Sequence, residues 1–140
     1  MPAPADLRQR LARFFASRPE VVVAYLYGSH AEGRAHRESD IDIAVLLDRA
    51  RCPTADDRFR ARIDLGTELI AALHFNDIDL VVLNDAPPLF ARHVVCSGAV
   101  VHCADPAAEH AYRRDVQLRA ADLAPFIERG RRRLAEGLAR

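Results

Sequence analysis

Apolar residues are grouped along the chain in short runs that predict β-strands. Three runs rich in β-branched residues predict strands over Val21–Tyr27, Ile41–Leu47 and Ile78–Leu83. The first run contains no charged position, which is typical of a central strand covered on both faces. A weaker apolar run predicts a short edge strand over Ala99–His102.

Between these runs the apolar residues recur at helical spacing. The spacing and the cap residues predict helices over Asp6–Ala16, from Thr54 to about Leu73, from Pro88 to about Cys96, and from Pro106 onward. Ser29 is a suitable N-cap for a short helix over Ala31–His36. Pro125 is expected to kink or interrupt the last helix. Helices that alternate with three or four strands predict a small α/β domain.

Composition narrows the classes of function. The chain has 140 residues, of which 50% are hydrophobic, enough for one domain with a real core. The formal net charge is zero, so nothing in the total charge attracts nucleic acid or an anionic membrane. The N-terminus lacks a signal-peptide pattern, and no apolar run approaches the ~20 residues of a membrane span. We expect a cytoplasmic protein.

The chain contains arginine but no lysine, which excludes Schiff-base chemistry and a lysine-dependent phosphate loop. Arginine can still bind phosphate, because its planar guanidinium matches phosphate oxygens. The three cysteines, Cys52, Cys96 and Cys103, are odd in number and have no metal-type spacing. They are expected to be free thiols.

Two acids stand unexpectedly in the second predicted strand. Side chains alternate faces along a strand, so Asp40 and Asp42 point the same way, about 7 Å apart. Two carboxylates this close repel each other unless a cation neutralises them. Hard oxygen ligands suit Mg²⁺, which keeps waters and takes phosphate oxygens as further ligands. The pattern therefore predicts a magnesium site.

A phosphate site is predicted just upstream. Gly28-Ser29 lies where a strand meets the start of a predicted helix, and exposed amides at such a point favour an anion. A third carboxylate would complete a two-metal site or act as a base. The third strand offers Asp77 and Asp79 on one face, and Asp79 is favoured because it lies inside the apolar run.

These residues resemble a known signature. Gly28-Ser29, a gap of ten residues and then Asp40-x-Asp42 are similar to the motif of the DNA polymerase β-like nucleotidyltransferases, and most of all to their minimal branch, the MNT antitoxins of HEPN/MNT systems. The resemblance covers roughly Val21–Val101. It implies a small mixed sheet flanked by helices, with a core over residues 1–104 and a C-terminal helical extension of the same domain over residues 105–140.

The resemblance also implies an activity. Asp40 and Asp42 would hold two Mg²⁺ ions, and Asp79 would bind one of them and help to activate the acceptor. Gly28 and Ser29 would hold the phosphates of ATP, with Arg34 supplying positive charge. AMP would pass to a tyrosine of a partner HEPN toxin and inactivate it. His30 and Glu32 depart from the family pattern, which often has basic residues at these two positions. His30 is expected either to contact phosphate or to be a solvated loop residue.

Two alternative functions stay open from the sequence. The acceptor could be a small molecule such as an aminoglycoside, although the roughly 40 residues outside the core leave little chain for a second domain. The protein could also be an antitoxin that acts by binding alone, but such a protein has no reason to keep three repelling carboxylates. The C-terminal arginine run, residues 129–133, favours a solvated helix face or a partner contact over RNA binding, because no aromatic residues are interleaved with it.

Overall fold

The computed structural model describes residues 4–31 and 40–139 of the chain. The helices and strands, in chain order, are α1 Pro4–Ala16, β1 Val21–Tyr27, β2 Ile41–Leu47, α2 Ala55–Leu73, β3 Ile78–Val82, α3 Pro88–Ser97, β4 Ala99–Cys103 and α4 Pro106–Ala139. The predicted short helix over residues 31–36 lies almost wholly outside the described residues. So do the side chains of Glu32, Arg34 and Arg37.

The strands form one mixed sheet in the order β3-β2-β1-β4. β1 pairs antiparallel with both β2 and β4, whereas β2 and β3 are parallel. The parallel pair is possible because α2 carries the chain back across the sheet between β2 and β3. The predicted α/β fold with a small mixed sheet is confirmed.

Helices cover both faces of the sheet. On one face, α1 and α2 contribute Leu7, Leu11, Phe15, Leu65 and Leu69 to a core that includes Ile41 and Ile43 of β2. On the other face, α3 and α4 pack on Val23, Tyr25 and Tyr27 of β1. β1 is therefore buried from both sides, as its uninterrupted apolar sequence predicts.

Local sequence explains where α2 and α3 begin and end. Thr54 and Asp57 form a reciprocal capping box at the start of α2, in which each side chain accepts a hydrogen bond from the other residue's backbone N–H. α3 begins with Pro88 at a first-turn position, where its missing N–H costs nothing. Gly98 follows α3 as its C-cap.

Two element boundaries differ from the sequence expectation. β3 ends at Val82 rather than Leu83, because the chain enters a 3₁₀ turn in which the Asn84 side chain bonds both the N–H and the C=O of Leu47. α4 runs without interruption through Pro125. That proline removes one backbone hydrogen bond from a solvent-exposed stretch, where water can bond the freed carbonyl.

A polar cluster fastens α4 to the sheet and to α3. The Tyr25 hydroxyl donates to Glu109 at 2.6 Å, and Arg113 donates to the same carboxylate and to the Val95 carbonyl oxygen. Burial alone would raise the pKa of Glu109, but the hydrogen bonds from Tyr25 and Arg113 lower it. Burial and this acceptor carboxylate raise the pKa of Tyr25.

Glu109→Gln should lower the stability of the protein at neutral pH by about 1.5–3 kcal/mol, because hydrogen bonds to a charged group are lost. A lowered carboxyl pKa stabilises the fold above the ordinary value of 4.5 and stops doing so as pH falls through the lowered value. Thermal melts should therefore separate variant and wild type at neutral pH and converge in acid. Glu128→Gln, which loses only an exposed pair with Arg132, is the control and should change little. A difference in melting temperature between Glu109→Gln and wild type that persists unchanged in acid would contradict this account.

Within the described residues, no helix combines the length and the apolar character needed to cross a membrane.

Candidate active site

The residues singled out in the sequence come from three separate segments that the sheet brings together. β1 and β2 are antiparallel, with Tyr27 opposite Asp42, so the chain leaving β1 at Gly28 lies beside the start of β2. β2 and β3 are parallel, and Asp42 pairs with Asp79. Side chains of directly paired residues share a face of the sheet. Gly28, Asp42 and Asp79 therefore lie together at one end of the sheet.

Gly28 touches the central carboxylate. Its φ of +73° lies in the left-handed region that side chains other than glycine rarely adopt. A Cβ atom at this position would lie 2.5 Å from Oδ2 of Asp42, far inside van der Waals contact. Glycine is thus required here for two reasons: the backbone turn has a positive φ, and the carboxylate approaches closely.

Asp42 lies in an environment that disfavours its negative charge. Partial burial raises the pKa of its carboxyl, and the nearby carboxylates of Asp79 and Asp40 raise it further. His30 acts in the opposite direction. Asp40 is exposed and directly precedes β2, while Asp79 is exposed on the edge strand. The site concentrates negative charge around one carboxylate, which a bound cation would relieve.

The donor set fits Mg²⁺. The ligands are carboxylate oxygens, which are the hard donors that this ion prefers, and their mutual repulsion is the condition that a divalent cation removes. In the described ranges, no three His, Cys, Asp or Glu side chains are already gathered as a metal cluster. Mg²⁺ characteristically binds one or two carboxylates and completes its shell with water and phosphate oxygens, so such a cluster is not required.

The structure distinguishes the two candidate third carboxylates. Asp79 pairs with Asp42 and its charge acts on the Asp42 carboxyl. Asp77 precedes β3, and its carbonyl oxygen accepts a hydrogen bond from the Ile41 N–H. Of the two, Asp79 is the one that the fold brings beside Asp42.

The turn after β1 holds two further residues of interest. Ser29 and His30 follow Gly28 in a turn that reaches residue 31. The sequence left His30 as either a phosphate contact or a solvated loop residue. It is not solvated: the side chain is 8% exposed, and its charge is close enough to act on Asp42. A phosphate contact by His30 stays a prediction, as does one by Arg34, which lies outside the described residues.

Tyr27 is a site residue that sequence reasoning assigned only to the core. It is buried, and its ring packs edge-to-face on Phe90 with centroids 5.7 Å apart. Burial raises the pKa of Tyr27 to about 12, with Asp79 and Asp42 as further causes. The phenol therefore stays neutral beside the carboxylates. The signal for this neighbour was its position directly before Gly28, but only the strand pairing shows that it faces Asp42.

Comparison with known proteins supports the family resemblance. A family model described as "Polymerase beta, Nucleotidyltransferase" matches residues 9–107. The chain belongs to this family. The match includes all four strands and the three segments that form the site. The family predicted from the Gly-Ser and Asp-x-Asp pattern is confirmed.

Relatives within the family have more specific names. The chain is 41% identical over 80 residues to "Protein adenylyltransferase MntA" of Shewanella oneidensis, a match that covers 57% of this chain and 52% of the relative. The chain thus spans about half the length of the curated relative it matches. This agrees with the predicted resemblance to the minimal antitoxin branch.

Several solved structures that share this fold are toxin–antitoxin complexes. A structure described as "Crystal structure of the toxin-antitoxin with AMP-PNP" has a TM-score of 0.68 and 25% identity, with 95% of this chain and 98% of that chain covered. A tri-AMPylated Shewanella oneidensis HEPN toxin in complex with MNT antitoxin gives a TM-score of 0.64, 20% identity and coverage of 99% and 100%. At 20% identity, the second likeness is evidence for the fold alone.

Proposed function

We propose that this protein transfers AMP from ATP to a tyrosine of a HEPN-type toxin and so neutralises it. The observation that carries the proposal is the pairing of Asp42 with Asp79 across parallel strands, with Gly28 packed against the Asp42 carboxylate. A cation held by these carboxylates would lie beside a turn able to receive phosphates, which supports the proposal. The adenylyltransferase name of the MntA relative supports the choice of AMP as the transferred group.

Binding of the metal ions and the nucleotide would be shared among the residues of the site. Asp40 and Asp42 would hold two Mg²⁺ ions, with Asp79 as a further ligand of one of them. Gly28 and Ser29, together with Arg34, would bind the triphosphate. When bound, the ions supply the positive charge that stabilises the attacking and leaving oxygens of an in-line displacement.

The protein's own side chains would orient the acceptor hydroxyl for the displacement. The exposed carboxylate of Asp79 accepts a hydrogen bond from the acceptor hydroxyl and orients its oxygen toward the α-phosphorus of ATP. As that oxygen forms its bond to the α-phosphorus, its proton passes to the Asp79 carboxylate. The bond from the α-phosphorus to the oxygen that bridges to the β-phosphate breaks, and pyrophosphate leaves. The buried, neutral Tyr27 adds no further negative charge to a site that already holds three carboxylates.

Incubation with α-labelled ATP, Mg²⁺ and the cognate HEPN protein should label the HEPN protein with AMP. Removing Mg²⁺ with a chelator should abolish the label, because the carboxylates would then repel the triphosphate they must hold. Mass spectrometry of the labelled protein identifies the acceptor residue. Neutralisation of the toxin without any AMP transfer would support the binding-only alternative and count against the enzyme. We also place the reaction in the cytoplasm, where ATP and Mg²⁺ are available.

A further inference from the structure

Two depressions lie side by side along the outer side of β3, and together they are called the trough. Its larger part, a cavity of about 580 Å³, lies between α2 and the start of α3 and is lined by Phe59, Arg62 and Phe90, among others. Its smaller part, about 230 Å³, is lined by Arg62, Ile63, Gly66 and Asp79. Arg62 lines both parts, and Asp79 of the candidate active site is among the residues that line the smaller part.

The walls of this trough expose apolar surface that the fold does not use. Phe59 and Ile63, one turn apart on α2, are 58% and 51% exposed. Large apolar side chains in such a cluster, rimmed by arginine, are characteristic of protein–protein interfaces, where aromatic residues and arginine contribute most of the binding energy. Phe90 closes the same trough from α3.

The trough can accept side chains of a partner, but not an added β-strand. β3 is an edge strand, and its free edge could in principle accept another strand. The Arg62 Nε, however, donates a hydrogen bond to the Leu80 carbonyl oxygen at 3.0 Å. In a parallel pair, backbone groups of alternate residues face the partner strand, and the Ile41–Asp77 bond assigns residues 77, 79 and 81 to that role. The Leu80 carbonyl therefore faces outward, and Arg62 blocks pairing there.

We propose that this trough docks the protein that accepts AMP, with an apolar side chain of the acceptor seated between Phe59 and Phe90. The inference rests on the proposed function and names where its protein substrate binds. The geometry of displacement is the reason. Attacking and leaving oxygens must lie on opposite sides of the α-phosphorus. Gly28 lies on the β1 side of Asp42, whereas Asp79 and the trough lie on the β3 side. Phosphates bound at Gly28 would occupy the β1 side, so the β3 side stays open for the acceptor.

Gly66 offers a test that should not harm the fold. It lies within α2 and lines the trough beside Asp79, and a Cβ there would meet nothing within 4 Å. Gly66→Gln should therefore raise the melting temperature, because glycine is a poor helix former by up to about 1 kcal/mol. It should also obstruct the trough. Gly130→Gln is the matched control, since Gly130 is helical on α4 and a Cβ added there would likewise meet nothing within 4 Å.

The experiment measures AMP transfer to the HEPN protein as a function of its concentration. Gly66→Gln should raise KM for the HEPN protein about tenfold or more, because the obstructed trough can no longer bind the acceptor's apolar side chain fully. The Kd for Mg²⁺–AMP-PNP should stay unchanged. Gly130→Gln should change neither. A second pair makes the same comparison by removing apolar surface: Phe59→Ser should raise KM, whereas the similarly exposed Leu118→Ser on α4 should not.

Other occupants of the trough would give different results. Weaker AMP-PNP binding in Gly66→Gln would assign the trough to the nucleotide, and a change in oligomeric state would assign it to a second copy of the chain. Either result, or unchanged KM in both trough variants, overturns the proposal. Absence of AMP transfer by the wild-type protein would instead refute the proposed function, so the two failures are distinguishable.

Discussion

Asp42→Asn is expected to lower kcat for AMP transfer by about a thousandfold. Asp42 is the carboxylate around which the site is arranged, paired with Asp79 and in contact with Gly28. Asparagine keeps its shape but removes the charge that would hold the cations. Metal ions in such sites contribute several kcal/mol to transition-state stabilisation, and each 1.36 kcal/mol is a factor of ten in rate. Single-turnover transfer of labelled AMP to the HEPN protein measures the effect.

The control for this variant is Asp77→Asn. Asp77 begins the second Asp-x-Asp of the chain, but the fold brings Asp79, not Asp77, beside Asp42. Its replacement should leave kcat within about twofold, as for a surface residue outside the site. Asp42→Asn should also melt no lower than wild type, because it removes a carboxylate whose pKa is raised by burial and by the surrounding carboxylates. Equal transfer by the Asp42 and Asp77 variants would refute the assignment of the site.

Gly28→Ala is expected to impair both the fold and the reaction. The left-handed φ of +73° costs a residue with a Cβ roughly 1–2 kcal/mol. The added Cβ would also lie 2.5 Å from Asp42 Oδ2, so the carboxylate or the turn must move. A displacement of about 1 Å at reacting groups can cost on the order of a hundredfold in rate. Thermal melts and transfer assays of the purified variant measure the two losses.

Two further variants separate the causes of the Gly28→Ala effect. Gly137→Ala, in the exposed part of α4 with nothing within 4 Å of its Cβ, should be slightly stabilising and leave transfer unchanged. In an Asp42→Ala background the colliding oxygen is absent, so Gly28→Ala should lose less stability than in the wild type. If the loss is the same in both backgrounds, backbone strain alone is responsible and the close contact is not.

The bounds of β1 and β2 agree with the sequence expectation because both strands are buried on both faces. Apolar runs of seven residues, interrupted in β2 only by Asp42, have few alternative ways to be covered. β3 was predicted one residue too long, since Leu83 is as apolar as the strand before it. Its end depends on Asn84, which bonds to Leu47, 37 positions away. The expectation that Pro125 would kink or interrupt the last helix was wrong, because an exposed helix tolerates one missing backbone hydrogen bond.

The candidate site was partly visible in the sequence. Asp40, Asp42 and the Gly28-Ser29 pair lie within one stretch, and their spacing predicts a shared role. The choice of Asp79 over Asp77 followed from its place inside the apolar run, and the strand pairing agrees with it. The burial of His30 was not predictable, since it follows a turn and no periodic pattern covers it. The position of Tyr27 beside the carboxylates likewise could not be predicted before the pairing of β1 with β2 was known.

The sequence by itself determined the elements and the chemistry available to them: strands long enough to be buried, a glycine where the chain turns, and acids at strand starts. Only the tertiary structure decided which of these meet. Whether β3 lies parallel beside β2, and in which register, depends on contacts between distant residues, and a shift of one residue would turn Asp79 to the opposite face. The trough beside β3 exists for the same reason, because it forms where α2, α3 and an edge strand are packed together.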